Sequence, residues 1–150
     1  MTMRVIARTV VYDRGLKKIL LIKNKDAEFW CAPGGGWEYE NENILECAKR
    51  EVYEETGMTV QMQRLLYVQE FHVAPQEISF ETFWLAFPEQ GQLLNEFHTD
   101  LDPSGRVEVA RWFSREEVQS LQVFPKRLRD TFWDSIDLLM GNEDPFIGVR

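Results

Sequence analysis

The sequence predicts an α/β sandwich, a mixed sheet carrying helices on its faces. Segments rich in β-branched and aromatic residues occur at strand spacing. One internal segment has helical spacing bounded by cap signals at both ends. After residue 107 a strand signal passes directly into helix signals. At 150 residues the chain fits one domain, 1–150, and its core needs no disulfide or metal staple.

Residues 4–12 are β-branched and read as a strand. Asp13-Arg14-Gly15 turns the chain, and residues 18–22 read as the hairpin partner. Residues 24–28 are a polar loop, and Pro33 followed by Gly34-Gly35-Gly36 must also be loop. A helix opens at Asn43, which forms a capping box with Glu46, and closes at Gly57 in a left-handed cap. Within it Ile44, Leu45, Ala48 and Val52 share an arc that predicts a buried flank beside an acidic one. Residues 60–73 and 78–87 read as long strands joined around Pro75. Residues 91–105 are polar and irregular, the segment expected to be a mobile substrate loop. Residues 107–113 form a last strand, and Ser114 with Glu117 caps a short helix. Pro125, Phe132, Trp133, Ile136 and Leu139 predict a longer C-terminal helix, and the tail after Gly141 is expected to be loose.

Glu51, Glu54 and Glu55 carry the chemistry. Their i, i+3, i+4 spacing puts three carboxylates on one helical stripe. Each close like-charge pair costs a few tenths of a kcal/mol. A cation in front of the stripe relieves that cost, and an oxygen donor set of this kind suits Mg²⁺ or Mn²⁺.

The formal net charge of −8 argues against a nucleic-acid polymer or an anionic membrane as partner. A small phosphorylated ligand stays compatible, because bound metal inverts the local field. Cys31 and Cys47 lack metal-site spacing and imply no disulfide framework, so the expected compartment is reducing and cytoplasmic. No signal peptide and no long apolar span is read.

Residues 36–58 resemble the Nudix box, G-x5-E-x7-R-E-U-x-E-E-x-G-U with U aliphatic. Gly36, Glu42, Arg50, Glu51, Val52, Glu54, Glu55, Gly57 and Met58 fill every fixed position. The hairpin, the Pro-Gly-Gly-Gly lead-in, and the late Glu108 strand running into Arg111-Trp112-Phe113 extend the likeness to roughly residues 3–140. The resemblance implies a Nudix-type α/β/α sandwich and metal-dependent hydrolysis of the pyrophosphate in a nucleoside diphosphate linked to a moiety X. It implies Glu54 and Glu55 as the main metal ligands, with the Gly35 carbonyl, and Glu51 as third ligand or base. Arg50 should orient Glu51 or Glu54 by a charge-assisted bond. Glu42 should buttress the loop. Some members take the base from outside the box. Glu108 leads those candidates, ahead of Glu77, Glu96, Asp100 and Asp102.

Gly34, Gly35 and Gly36 should let backbone approach phosphate. Phe29, Trp30 and Phe71 are the expected substrate-stacking residues, and Trp37, Tyr39 and Tyr67 share that chemistry. Phe83, Trp84, Trp112, Phe132 and Trp133 read as core, the cysteines as packing, and His72 and His98 as satisfied polar residues. Within the family, a proline shortly downstream of the box marks relatives that cleave ADP-ribose. Pro75, 17 residues past Met58, is close to that position but out of register. The tripled glycine favours ADP-ribose or a related nucleotide sugar as substrate. A house-cleaning triphosphatase for nucleoside triphosphates or oxidised nucleotides is the alternative. More distant are a non-hydrolytic sensor and an RNA 5′-end hydrolase. Strand 4–12 is read as an edge able to pair between chains, so a homodimer is expected.

Overall fold

A computed structural model describes residues 1–136 and 145–149. Its strands are β1 (Thr2–Asp13), β2 (Lys18–Asn24), β3 (Trp30–Cys31), β4 (Gly34–Gly36), β5 (Val60–Ala74), β6 (Glu77–Pro88), β7 (Val107–Ser114), β8 (Val123–Phe124) and β9 (Phe146–Val149). Its α-helices are α1 (Ile44–Thr56), α2 (Arg115–Val118) and α3 (Thr131–Ile136). The mixed sheet runs β8-β3-β2-β1-β6-β5-β9, with β4 added to β1 and β7 to β2.

Period-2 alternation builds the two faces. Val10 and Tyr12 of β1, with Ile19 and Leu21 of β2, face Phe132 and Trp133 of α3 and Val118 of α2. Val11, Leu20 and Ile22 face the other way, onto Val52 of α1 and Met58. Tyr12 meets Phe132 and Trp133 edge-on, at 6.0 and 6.2 Å between ring centroids. Helices therefore cover both faces, as the sandwich requires.

β1 forks. Its C-terminal end pairs with β2 through Val11↔Leu20 to Asp13↔Lys18, so the expected hairpin exists only at the tip. Its N-terminal half pairs with β4 instead, Ile6↔Gly36 to Arg8↔Gly34. The other side of β1 runs parallel to β6, from Thr2↔Glu77 to Val11↔Ala86. β1 is therefore interior, which removes the edge on which pairing between chains was expected.

Four other expectations change. Leu45 is exposed, and the buried face of α1 comprises Cys47, Ala48, Val52, Glu55 and Thr56, so the acidic stripe turns partly inward. Pro125 precedes a 3-10 turn, Lys126–Arg129, rather than opening an α-helix; Leu139 lies outside the described residues. Beyond Gly141, where a loose tail is expected, Phe146–Val149 pairs parallel with β5. The segment after β6 is anchored: the indole of Trp112 donates to the Leu94 carbonyl at 2.7 Å, and the His98 N–H to the Thr56 carbonyl at 2.9 Å. It forms a wall, because Leu94 and Phe97 pack into the core.

Among the described residues no helix is long and apolar enough to cross a membrane.

Candidate active site

The fork of β1 makes the site. Gly34–Gly36 lies alongside β1 while α1 packs behind both, so the glycine loop and the acidic helix meet over the sheet. Both caps of α1 form as the sequence predicts. The Asn43 side chain accepts from the Glu46 N–H at 2.9 Å, and Glu46 accepts from the Asn43 N–H at 2.9 Å. Gly57 takes φ 77°, the left-handed region, and donates to the Tyr53 carbonyl at 2.8 Å. These bonds fix where the stripe points.

A cleft of about 430 Å³ is lined by Gly34, Gly35, Gly36, Arg50, Glu51, Glu54 and Glu55. Arg50 organises it. Its Nε and Nη2 donate to the two Glu42 oxygens at 2.9 and 2.7 Å. Its Nη1 donates to Glu51 at 3.0 Å and Glu54 at 3.2 Å. Glu42 also accepts from the Glu38 N–H at 3.2 Å, which ties the loop to the helix. The hydrogen bond from Arg50 holds the Glu42 carboxyl below its usual range and raises Arg50 in turn.

Glu55 is left out of this compensation. It is 4% exposed, with one oxygen accepting from the Gly34 N–H at 3.0 Å and the other buried with no hydrogen-bond partner. Burial pushes its carboxyl up to about 8, against the Gly34 hydrogen bond and with the help of Glu51. Burial also raises Glu51, and the Arg50 charge opposes it. An orphaned, desolvated carboxylate oxygen beside two further carboxylates is the donor chemistry of a hard divalent cation. Among the described residues, no three Asp, Glu, His or Cys side chains already converge as a cage. Arg50 is the cation facing Glu51 and Glu54. Gly35 fits the same purpose: a Cβ there would stand 2.5 Å from the Glu51 carboxylate.

Apart from Asp102, the rest of the cleft wall consists of residues that no local sequence pattern marks. Arg4, Ile6 and Arg8 alternate onto one side of β1 and line the cleft with Asn24, Asp102, Ser104 and Arg106. Arg8 is committed to a partly buried pair with Glu81, Nε to Oε2 at 2.7 Å, and also donates to the Ala32 carbonyl at 3.1 Å. Among the described residues the side chains of Arg4 and Arg106 make no ion pair. Burial would raise the Asp102 carboxyl, but hydrogen bonds from Ser104, Val107 and Arg106 outweigh it and hold it below its usual range. Asp102 is thereby a loop anchor and a weak base.

Glu108, the leading outside base, is exposed on β7 and does not line the cleft. Nor do Glu77, Glu96 or Asp100. Phe29 packs edge-on against Phe124 at 5.0 Å and Trp30 against Phe113 at 4.8 Å. Phe71 lies opposite Ser79 in the β5–β6 ladder. None of these three aromatics lines the cleft. Tyr67 is fully buried. Cys47 is buried, its thiol pushed up to about 12 mainly by burial, and its Sγ contacts the Gly36 carbonyl at 3.6 Å, so it is packing.

Fold and site together define a Nudix-type α/β/α sandwich with its acidic helix facing a glycine loop. The family model described as NUDIX domain matches residues 2–132, and the chain belongs to that family. It is 34% identical over 77 residues to mouse "Nucleoside diphosphate-linked moiety X motif 6", covering 50% of this chain and 24% of that protein. It is 33% identical over 89 residues to "Phosphatase NudJ" of Escherichia coli K12, covering 59% of this chain and 54% of NudJ. The chain thus spans between about a quarter and about half of the length of these relatives. Among solved structures, a MutT NUDIX hydrolase from Burkholderia pseudomallei superposes with a TM-score of 0.65 at 25% identity, over 86% of this chain and 96% of that one.

Proposed function

We propose that the chain hydrolyses the pyrophosphate of a nucleoside diphosphate linked to X, with Mg²⁺ or Mn²⁺ as cofactor and ADP-ribose or a related nucleotide sugar as substrate. One observation carries the reading: Glu51, Glu54 and Glu55 line one cleft together with Arg4 and Arg106. Cations without ion-pair partners in the same cleft as a metal-type donor set suit a pyrophosphate.

Glu54, Glu55 and the Gly35 carbonyl would hold the cation. When bound, it supplies charge neutralisation at the phosphoryl oxygens and makes a water easier to deprotonate. Arg4 and Arg106 bind and orient the phosphates. Arg50 aims Glu51 and Glu54. Glu51 receives the water proton, because burial raises its proton affinity and the outside candidate Glu108 points to solvent. The spacing of Cys31 and Cys47 implies no disulfide framework, which is in keeping with a reducing, cytoplasmic setting.

A nucleoside triphosphatase would use the same machinery. An adjoining cavity of about 540 Å³ shares Arg4, Gly36, Glu38 and Glu51 with the cleft and favours a longer substrate with a group on each side of the diphosphate. Pro75 sits exposed at the turn between β5 and β6, lines neither cavity, and gives ADP-ribose no support. The test is a panel of ADP-ribose, nucleotide sugars, dinucleoside polyphosphates and nucleoside triphosphates, with products resolved by chromatography. AMP plus ribose phosphate from ADP-ribose is expected. Nucleoside monophosphate plus pyrophosphate, from triphosphates alone, would establish the alternative.

A further inference from the structure

The cavity beside the acidic cleft has a different chemistry from the cleft itself. Trp37 and Tyr39 line it, edge to face, with ring centroids 6.3 Å apart and planes at 72°. The Trp37 indole N–H donates to the Glu42 carbonyl at 2.9 Å. Glu42 is also the anchor of Arg50, so the ring is oriented by the residue that braces the cleft. Tyr39 is 70% exposed, a large flat ring left uncovered on a loop otherwise rich in carboxylates. Arg4 stands at the junction of the two cavities, with Nη2 2.6 Å from the position a Cβ on Gly36 would take.

We propose that the Trp37–Tyr39 cavity is the nucleobase subsite and that Arg4 holds the phosphate next to it; this rests on the pyrophosphohydrolase reading above. A base brings a π-face that stacks on either ring, whereas a sugar phosphate does not. The base then lies beyond β4, and the diphosphate runs past Arg4 onto the carboxylate wall. Tyr39 is a specificity residue in this arrangement, with no part in bond cleavage.

Calorimetric titration with Mg²⁺ present tests it, using the non-hydrolysable pair α,β-methylene-ADP and methylenediphosphonate. Tyr39→Ala should weaken α,β-methylene-ADP about tenfold, the scale of one lost stacking contact. The same variant should change methylenediphosphonate less than about twofold, and Tyr39→Phe should keep wild-type affinity for both. Unchanged α,β-methylene-ADP affinity in Tyr39→Ala would overturn the subsite and leave the hydrolase reading standing. Equal weakening of both ligands would also overturn it, because Tyr39 would then be supporting the phosphate site. A wild-type protein that binds neither ligand would bring down both readings.

Discussion

Arg50 shows how a single side chain ties the site together. Its guanidinium spans Glu42, Glu51 and Glu54, whereas Glu55 keeps one buried oxygen without a hydrogen-bond partner among the described residues. Lysine at this position cannot grip Glu42 bidentately and still reach two more carboxylates. Arg50→Lys should lower kcat at least tenfold and cost about 1–3 kcal/mol of stability, the pair being partly exposed; turnover and urea unfolding measure the two effects. Glu55 gives a pH signature. Its folded-state pKa of about 8 lies above the ordinary 4.5, so it stabilises the metal-free fold most below pH 4.5. That contribution is lost as pH rises towards 8. In chelator, the melting temperature of wild type should therefore fall relative to Glu55→Gln across that window. A constant difference between the two proteins would contradict it. At this scale the box residues were legible because their spacing is local. Arg4, Arg8 and Arg106 were not, because only the folding of β1 and the 102–106 turn over the sheet brings them opposite α1.

At the scale of elements, local signals read well and pairing read poorly. Asn43, Glu46 and Gly57 announce both ends of α1, and each cap forms from neighbours a few residues away. The helix cannot roll without breaking them, which is why the stripe stays aimed at the glycine loop. The loop is equally constrained. In Gly35→Ala the new Cβ would meet the Glu51 carboxylate at 2.5 Å and force it aside. We expect turnover to drop by more than about tenfold with the far-UV circular dichroism unchanged, the misplacement cost of a reacting group. Normal kcat in Gly35→Ala would show that Glu51 tolerates displacement. Glu108 stands exposed on β7, outside the cleft. Strand β7 was located correctly, but which of its side chains face the cleft depends on its register against β2, where the ladder shifts between Lys23 and Asn24.

The whole molecule depends on the forked strand β1. Its pairing with β6 joins residues about 75 positions apart, a contact that no local pattern encodes. The hairpin expectation captured one branch of the fork and missed the branch that builds the site. The partly buried Arg8–Glu81 pair crosses the same junction, linking the sheet centre to the cleft wall. The sandwich class was legible because alternation and caps fix which faces are apolar, and helices on both faces are the only cover available. The central claim is that this architecture holds a cation on the α1 stripe and uses it to cut a pyrophosphate. The measurement is kcat against Mg²⁺ concentration for wild type, Glu54→Gln and Glu55→Gln, with circular dichroism confirming the fold of each. The account predicts Mg²⁺-dependent turnover in wild type and a loss of about a hundredfold or more in each variant. Near-normal turnover in both variants, or wild-type turnover that persists in chelator, would contradict it.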